Sequence, residues 1–188
     1  MSILKISRLG HPILLKKAKP VNDILAKDVR KIVLDMTETM LDAKGIGLAA
    51  PQIHINKQII IFRTFKEDED EDGNEKKKEK EKEVNITVLI NPKIIKISDE
   101  TDDAWEGCLS IPGMLGLVKR FSEIKYEGYD IQGNLIQKKV KGLNARVVQH
   151  EFDHLLGILY VSRLADPKAF GFVDEIEEFW KKIYESSK

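Results

Sequence analysis

The chain has 188 residues, of which 42% are hydrophobic and 33% charged, and its formal net charge is zero. This composition is typical of one folded domain, and the balanced charge gives no support for binding nucleic acid or an anionic membrane. The chain contains no apolar run near the roughly 18 residues of a membrane span, and its first residues show no secretory signal. The single cysteine, Cys108, excludes an internal disulfide and indicates a reducing compartment. We therefore expect a cytoplasmic protein, or an organellar one if a presequence has been removed.

The first predicted element is an amphipathic helix over residues 22–43. Asn22 or Asp23 can cap its first turn. Its apolar stripe consists of Leu25, Val29, Ile32, Met36 and Met40. The next segment, KGIGLAAPQ (44–52), has two glycines and a proline, which is typical of a turn that leads into extended chain. The β-branched run KQIIIFR (57–63) predicts a buried strand.

Residues 66–83 differ sharply from the rest of the chain, because they comprise ten acids, six lysines and no apolar side chain. Such a segment cannot bury enough apolar surface to offset the entropy of ordering it. We therefore interpret residues 1–188 as a single domain that carries a charged, flexible insertion at 66–83.

Strand character resumes over residues 84–97, where Pro92 marks a bend. Residues 123–140 indicate a hairpin that turns around Gly133. Helical spacing then predicts a helix over 143–157 that stops at Gly157.

Asp166-Pro167 is typical of a helix start, so we predict a C-terminal helix from this point. Its apolar stripe consists of Val173, Ile176, Trp180 and Ile183. The elements do not alternate as βαβ units, so we predict an α+β fold. It would have mainly antiparallel sheets around a central helix, with N-terminal and C-terminal helices.

Two histidines, His150 and His154, lie four residues apart on the predicted central helix and therefore share one face. Two imidazoles there can bind one metal ion, and Glu151 can act as general base on a water molecule bound to that ion. This H-E-x-x-H pattern is typical of metal-dependent hydrolases, which need a third ligand. The thiol of Cys108 is a strong candidate, since thiolates bind divalent transition metals well. Other candidates are His11, His54, Asp174, Glu175 and Glu177.

Cys108 lies in the segment WEGCLSIPG. Gly107, Pro112 and Gly113 predict irregular backbone around it, which would deliver the thiol to the helix from outside.

Three motifs resemble the signature motifs of peptide deformylases and occur in that family's order. They are GIGLAAPQ (45–52), EGCLS (106–110) and QHEFDH (149–154). The likeness extends from Ile3 to about Leu164 and is interrupted by the charged insertion. The resemblance implies an enzyme that removes the N-formyl group from the initiator methionine of new polypeptides and releases formate.

The resemblance also implies a metal ion held by Cys108, His150 and His154, with water as fourth ligand. Ferrous iron is typical of the family, and nickel, cobalt or zinc can replace it. Glu151 would accept the proton of the water and return it to the departing amine.

Two donors to the developing oxyanion are implied in the same way, the Gln52 side chain and the Leu109 backbone N–H. An extended N-formylmethionyl peptide would pair with Ile46 by strand addition. The expected lining of the substrate pocket is Ile46, Gly47, Trp105, Gly107, Leu143 and Val147. Lys119 or Arg120 would have to help bind the peptide, because the GMLG segment after Pro112 has no basic residue.

The expected partners are the peptide substrate and, transiently, the ribosome through the C-terminal helix. We expect no membrane and no sequence-specific nucleic acid partner. Two other functions stay open: a zinc peptidase with a third His or Glu ligand downstream, and a protein that binds formyl-methionine without turnover. Glu151 argues against the second, because a structural metal site has no use for a base.

Overall fold

The computed structural model describes residues 2–65, 85–96 and 99–186. The strands are β1 (Gly47–Ala49), β2 (Ile59–Thr64), β3 (Asn85–Lys96), β4 (Thr101–Cys108), β5 (Ile111–Phe121), β6 (Glu123–Tyr129), β7 (Leu135–Lys141) and β8 (Phe170–Phe172). The helices are α1 (Lys27–Asp42), α2 (Gly142–Leu156) and α3 (173–186), whose Ile176–Trp180 turn is π-helical. Short 3-10 helices span Pro12–Leu15, Ala50–Ile53 and Tyr160–Arg163.

The strands form two sheets in which neighbouring strands are antiparallel. One sheet has the order β1-β2-β3-β6-β7, and the other has the order β4-β5-β8. The predicted α+β class with antiparallel sheets is confirmed. Among the residues described here, no helix is long and apolar enough to cross a membrane.

The larger sheet is covered on both faces by helices, and β2 shows why. Ile60 and Phe62 belong to the core cluster on the α2 side, whereas Ile59 and Ile61 belong to the cluster that contains α1. Successive side chains of a strand point to opposite faces, so a strand buried on both faces is a continuous apolar run. Each isoleucine buried in this way stabilises the fold by about 1.5–3 kcal/mol. The layering holds α2 firmly against the sheet.

Helices α1 and α3 both begin later in the chain than the sequence predicts. Helix α1 begins at Lys27, because Asp23 accepts a hydrogen bond from the backbone of Leu25 (3.0 Å) and closes a turn instead of capping a helix. Leu25 lies outside the helix and is 57% exposed.

The predicted start of α3 at Asp166-Pro167 is likewise wrong. Asp166 accepts from the backbone N–H of Lys168 (2.9 Å), and the chain then forms β8 before the helix begins at Val173. Of the predicted apolar stripe, Ile176 is buried, whereas Ile183 is 57% exposed.

The predicted bend in β3 and the predicted turn between β6 and β7 are confirmed. Strand β3 bends at Asn91, whose φ is 52°, and its pairing with β6 shifts register between Ile90 and Lys93. The β6–β7 hairpin turns at residues 130–134, where Gly133 has a φ of 84°. Insertion 66–83 lies outside the described residues. It connects β2 and β3, which pair as far as Thr64 opposite Asn85.

Helix α2 ends at Gly157 as predicted, in the left-handed region (φ 75°). A side chain there would collide with backbone, since a Cβ would lie 2.7 Å from the carbonyl carbon and oxygen of Leu15. The close crossing lets Ala18 N–H donate to the Leu155 carbonyl (2.8 Å). The N-terminal segment therefore supplies a donor that the end of α2 would otherwise lack.

Candidate metal centre and active site

The candidate metal centre lies where α2 meets the end of β4. His150 and His154 project from one face of α2, and Cys108 ends β4 opposite them. The Cys108 Sγ lies 3.3 Å from His154 Nε2, and one ligand atom from each of the three residues lies within 4.8 Å of the others. The sequence pattern thus brings together side chains that are more than forty residues apart.

The backbone at Cys108 is more regular than predicted. Cys108 pairs with Ile111 across a tight turn, and the irregularity is a single register shift between Glu106 and Cys108. Pairing of β4 with β5 explains this, because it holds residues on both sides of the turn in strands. The thiol accepts from the backbone N–H of Ser110 (3.4 Å), which fixes its direction.

The donor set fits a divalent transition metal. Tetrahedral ions such as zinc have metal–sulfur bonds of about 2.3 Å and metal–nitrogen bonds of about 2.0–2.1 Å, so a sulfur and a nitrogen ligand lie roughly 3.5–3.6 Å apart. The Cys108–His154 distance of 3.3 Å is close to this separation. Burial lowers the pKa of His154, which favours the neutral ring with the lone pair that a metal needs.

The other predicted ligand candidates lie elsewhere. The rings of His11 and His54 contact each other edge to face at 4.7 Å, and His54 also lies 3.2 Å from the Ser7 hydroxyl. Asp174, Glu175 and Glu177 are exposed on α3. Among the residues that the structure describes, the potential ligands that lie close enough to share a metal ion are Cys108, His150 and His154.

Glu151 lies next to the cluster in a confined position. It is 4% exposed, and among the described residues its Oε2 atom has no hydrogen-bond partner. Burial raises the pKa of the Glu151 carboxyl to about 7. Gly47 of β1 lies directly against it, since a Cβ at Gly47 would be 2.2 Å from Glu151 Oε1. A carboxyl group with a pKa near neutrality can both accept and donate a proton.

Gln52 is held with its amide nitrogen toward the cluster. It is 1% exposed in the Ala50–Ile53 helix, and its Oε1 accepts from the backbone of Ala49 (2.8 Å). This contact turns Nε2 toward the Ser110 hydroxyl (3.1 Å) and the Cys108 Sγ (3.5 Å). Leu109 follows Cys108 in the β4–β5 turn and lines a cavity beside the cluster.

A cavity of about 470 Å³ opens beside the cluster, between the outer strands β1 and β4 of the two sheets. Its wall includes every predicted pocket residue, namely Ile46, Gly47, Trp105, Gly107, Leu143 and Val147. It also includes Met114, Leu115 and Val173, which were not among the predicted pocket residues. Met114 and Leu115 lie where β5 pairs with β8, a strand that the sequence did not predict.

The prediction that Lys119 or Arg120 meets the peptide is wrong for this cavity, because neither residue lines it. Lys119 is exposed on β5. Arg120 is 4% exposed and is occupied by two carboxylates.

A buried network of charges behind the cluster was not predicted. Glu106 Oε2 lies 2.8 Å from His150 Nδ1, which leaves the other ring nitrogen, Nε2, for a metal. The Glu106 carboxylate also accepts from Arg120 (3.0 Å twice) and from Arg146 (2.8 Å). Burial alone would raise the pKa of Glu106, but the hydrogen bonds from His150 and Arg120 outweigh it and hold that pKa well below its usual range. An anionic Glu106 therefore orients His150, as carboxylates behind metal-binding histidines commonly do.

The network continues to Asp153 of α2. Arg120 Nη1 contacts Asp153 Oδ2, and Arg163 donates to both oxygens of Asp153 (2.6 and 2.7 Å). The available sequence signal is the position of Glu106 and Asp153 inside the EGCLS and QHEFDH motifs. Their arginine partners come from distant segments, which local patterns do not reveal.

An α+β fold in which a buried glutamate lies beside a cysteine and two histidines that can hold a metal ion is typical of a metal-dependent hydrolase. The sequence model of the polypeptide deformylase family matches residues 3–170. Peptide deformylase 1 of Bordetella pertussis is 44% identical over 169 residues, which cover 90% of this chain and 92% of the relative. The chain belongs to the polypeptide deformylase family.

Solved structures agree with this assignment. The chain superimposes on the peptide deformylase of Ehrlichia chaffeensis with a TM-score of 0.76 and 34% identity, over 96% of this chain and 97% of that chain. A Met-Ala-Ser-bound deformylase of Acinetobacter baumannii gives a TM-score of 0.75 and 34% identity, over 87% and 99%.

Proposed function

We propose that this chain hydrolyses the N-formyl group of formylmethionyl peptides at the cavity beside Cys108, His150 and His154, and releases formate. The observation that carries the proposal is the buried Glu151 carboxyl, which lies beside the ligand cluster and faces Gly47. A base in that position serves hydrolysis, whereas neither a structural metal nor a binding protein needs one. Family membership supports the same activity.

Cys108, His150 and His154 would hold one divalent ion. We propose ferrous iron in the cell and zinc, nickel or cobalt as replacements, because two imidazoles and a thiolate suit all of these metals. When bound, such an ion supplies Lewis acidity, which lowers the pKa of water and polarises a carbonyl oxygen.

Three groups of the chain would then act on the formyl group. Glu151 takes a proton from water as it attacks the formyl carbon, and returns it to the methionine nitrogen as the C–N bond breaks. Gln52 Nε2 and the Leu109 backbone N–H donate to the oxygen on which negative charge develops. The hydrogen bond from Ala49 to Gln52 Oε1 supports this role, since it fixes which end of the amide faces the site.

The peptide would lie extended between the two sheets. Ile46 immediately precedes β1, an outer strand, so a substrate backbone can add beside it. The methionine side chain would enter the apolar part of the cavity near Trp105, Leu143 and Val147. The Acinetobacter baumannii deformylase was solved with Met-Ala-Ser bound, which supports a peptide of this kind as ligand.

The C-terminal helix would approach the ribosome transiently in the cytoplasm. Its first residue, Val173, lines the cavity, so the helix lies next to the place where a nascent chain would enter. Co-sedimentation with ribosomes tests this contact. Equal binding by the parent and by a variant that ends at Phe172 would refute it.

The decisive experiment is anaerobic incubation with formyl-Met-Ala-Ser, with formate measured by formate dehydrogenase and peptides by mass spectrometry. We expect one formate for each Met-Ala-Ser, and no cleavage of acetyl-Met-Ala-Ser. Formylmethionine and Ala-Ser without formate would instead identify a peptidase. Saturable binding of the formylated peptide without any product would identify a binding protein.

A further inference from the structure

Arg163 lies at the outer end of the buried charge network, and the proposed reaction gives it no role. It ends the 3-10 helix Tyr160–Arg163, and its side chain is 41% exposed. Its Nε donates to Asp153 Oδ2 (2.6 Å), and its Nη2 donates to Asp153 Oδ1 (2.7 Å). The two parallel hydrogen bonds fix the plane of the Asp153 carboxylate, as a planar guanidinium does when it binds through two nitrogens.

The two carboxylate oxygens of Asp153 accept hydrogen bonds from different sets of arginines. Its Oδ2 also accepts from Arg120 Nη1, whereas its Oδ1 is taken by Arg163. Arg120 therefore contacts Asp153 through one nitrogen only. Its other two nitrogens, Nε and Nη2, donate to the two oxygens of Glu106 at 3.0 Å each.

Glu106 in turn contacts His150 Nδ1 at 2.8 Å. A continuous series of ion-pair and hydrogen-bond contacts thus joins the half-exposed Arg163 to a candidate metal ligand through Asp153, Arg120 and Glu106. Three of these four links lie between side chains that are at most 11% exposed, where water does not screen them.

We propose that Arg163 is a positioning residue for the metal centre. By engaging both oxygens of Asp153, it keeps that carboxylate from taking a second nitrogen of Arg120. Arg120 then keeps its two-nitrogen edge on Glu106, and Glu106 holds the His150 ring in the orientation that presents Nε2 to the metal. Without Arg163, Asp153 turns toward Arg120, the Arg120–Glu106 pair loosens, and His150 loses its fixed orientation.

The inference rests on the proposed metal site, so the test reads the metal directly. The cobalt-loaded protein is prepared as the parent, Arg163→Gln and Arg163→Lys, with Arg30→Gln as the matched control on the exposed side of α1. Cobalt affinity is measured by competition with a chelator, the visible spectrum reports the ligand geometry, and kcat and KM are measured separately.

We expect Arg163→Gln to lower cobalt affinity about 10- to 100-fold, which is the usual effect of removing an outer partner of a metal ligand. Its visible bands should shift, and kcat should fall more than KM changes. Arg163→Lys should lose at least about threefold, because an ammonium cannot engage two oxygens in one plane as a guanidinium does. Arg30→Gln should match the parent in every measurement.

A double-mutant cycle tests whether Arg163 acts through Asp153. In an Asp153→Asn background, Arg163→Gln should cost less than about twofold in affinity, since its partner is already lost. Fully additive losses would overturn the inference. A cobalt affinity of folded Arg163→Gln within twofold of the parent would also overturn it. If Arg163→Gln does not fold, an affinity of Arg163→Lys within twofold of the parent would overturn it. A parent without a cobalt–thiolate band would overturn the metal site itself.

Discussion

The contact between Gly47 and Glu151 makes Gly47→Ala a sharp test of where the base lies. An alanine Cβ would be 2.2 Å from Glu151 Oε1, and contacts below about 3.0 Å do not persist. Because Gly47 has an ordinary negative φ, alanine fits the backbone, and the side-chain collision is the whole perturbation. The Glu151 carboxyl must therefore retreat by about 0.8 Å or more.

A displacement of this size should lower kcat/KM for formyl-Met-Ala-Ser about 10²-fold, since a shift of about 1 Å in a reacting group can have that effect. That loss corresponds to about 2.7 kcal/mol in the activation free energy. Overpacking should also lower the free energy of unfolding by about 1–3 kcal/mol. Bound metal should stay stoichiometric, because the ligands Cys108, His150 and His154 are not displaced.

The measurements are formate release, metal content by mass spectrometry and Tm. Gly171→Ala in β8 is the matched control, because its Cβ would meet Ile176 at an ordinary 3.6 Å. If Gly47→Ala keeps full metal and turns over within threefold of the parent, Glu151 does not act from the position described.

Four further variants test other parts of the site and fold. Cys108→Ala should lose both bound metal and turnover; stoichiometric metal with near-normal turnover would remove Cys108 from the ligand set. Glu151→Gln should keep its metal while turnover falls at least about 10²–10⁴-fold, the range for a lost general base; parallel loss of metal would show that Glu151 has another role. Glu106→Gln leaves Arg120 and Arg146 facing an uncharged amide, so urea unfolding should show a loss of about 3–5 kcal/mol; a loss below about 1 kcal/mol would contradict the network. Replacing residues 66–83 by Gly-Asn should keep Tm and turnover, since β2 and β3 already pair up to Thr64 and Asn85; a drop in turnover beyond tenfold in the folded variant would assign the insertion a role in the reaction.

The elements that could be predicted are those whose signals are local. Helix α2 has regular apolar spacing and a glycine stop, and β2 is a short β-branched run. The β6–β7 turn has glycine where a positive φ is needed. In each case neighbouring residues suffice to specify the backbone, so the sequence alone indicates the element.

The elements that could not be predicted depend on distant partners. Strand β8 is three residues long and forms because it pairs with Met114–Gly116, more than fifty residues earlier. From the sequence alone, Arg120 could bind either a substrate or a buried carboxylate. It binds a buried carboxylate because α2 places Asp153 against it.

The hydrogen bond from Ala18 to Leu155 has a consequence for the order of events during synthesis. These residues are separated by 137 positions, and Leu155 directly follows the proposed ligand His154. The segment around Ala18 is therefore synthesised long before the end of α2, and it can dock there only after Leu155 has left the ribosome. Gly47 and Cys108, by contrast, are synthesised before any residue of α2. Since metal binding needs its ligands assembled, metal capture should follow the synthesis of α2, although Cys108 is made earlier.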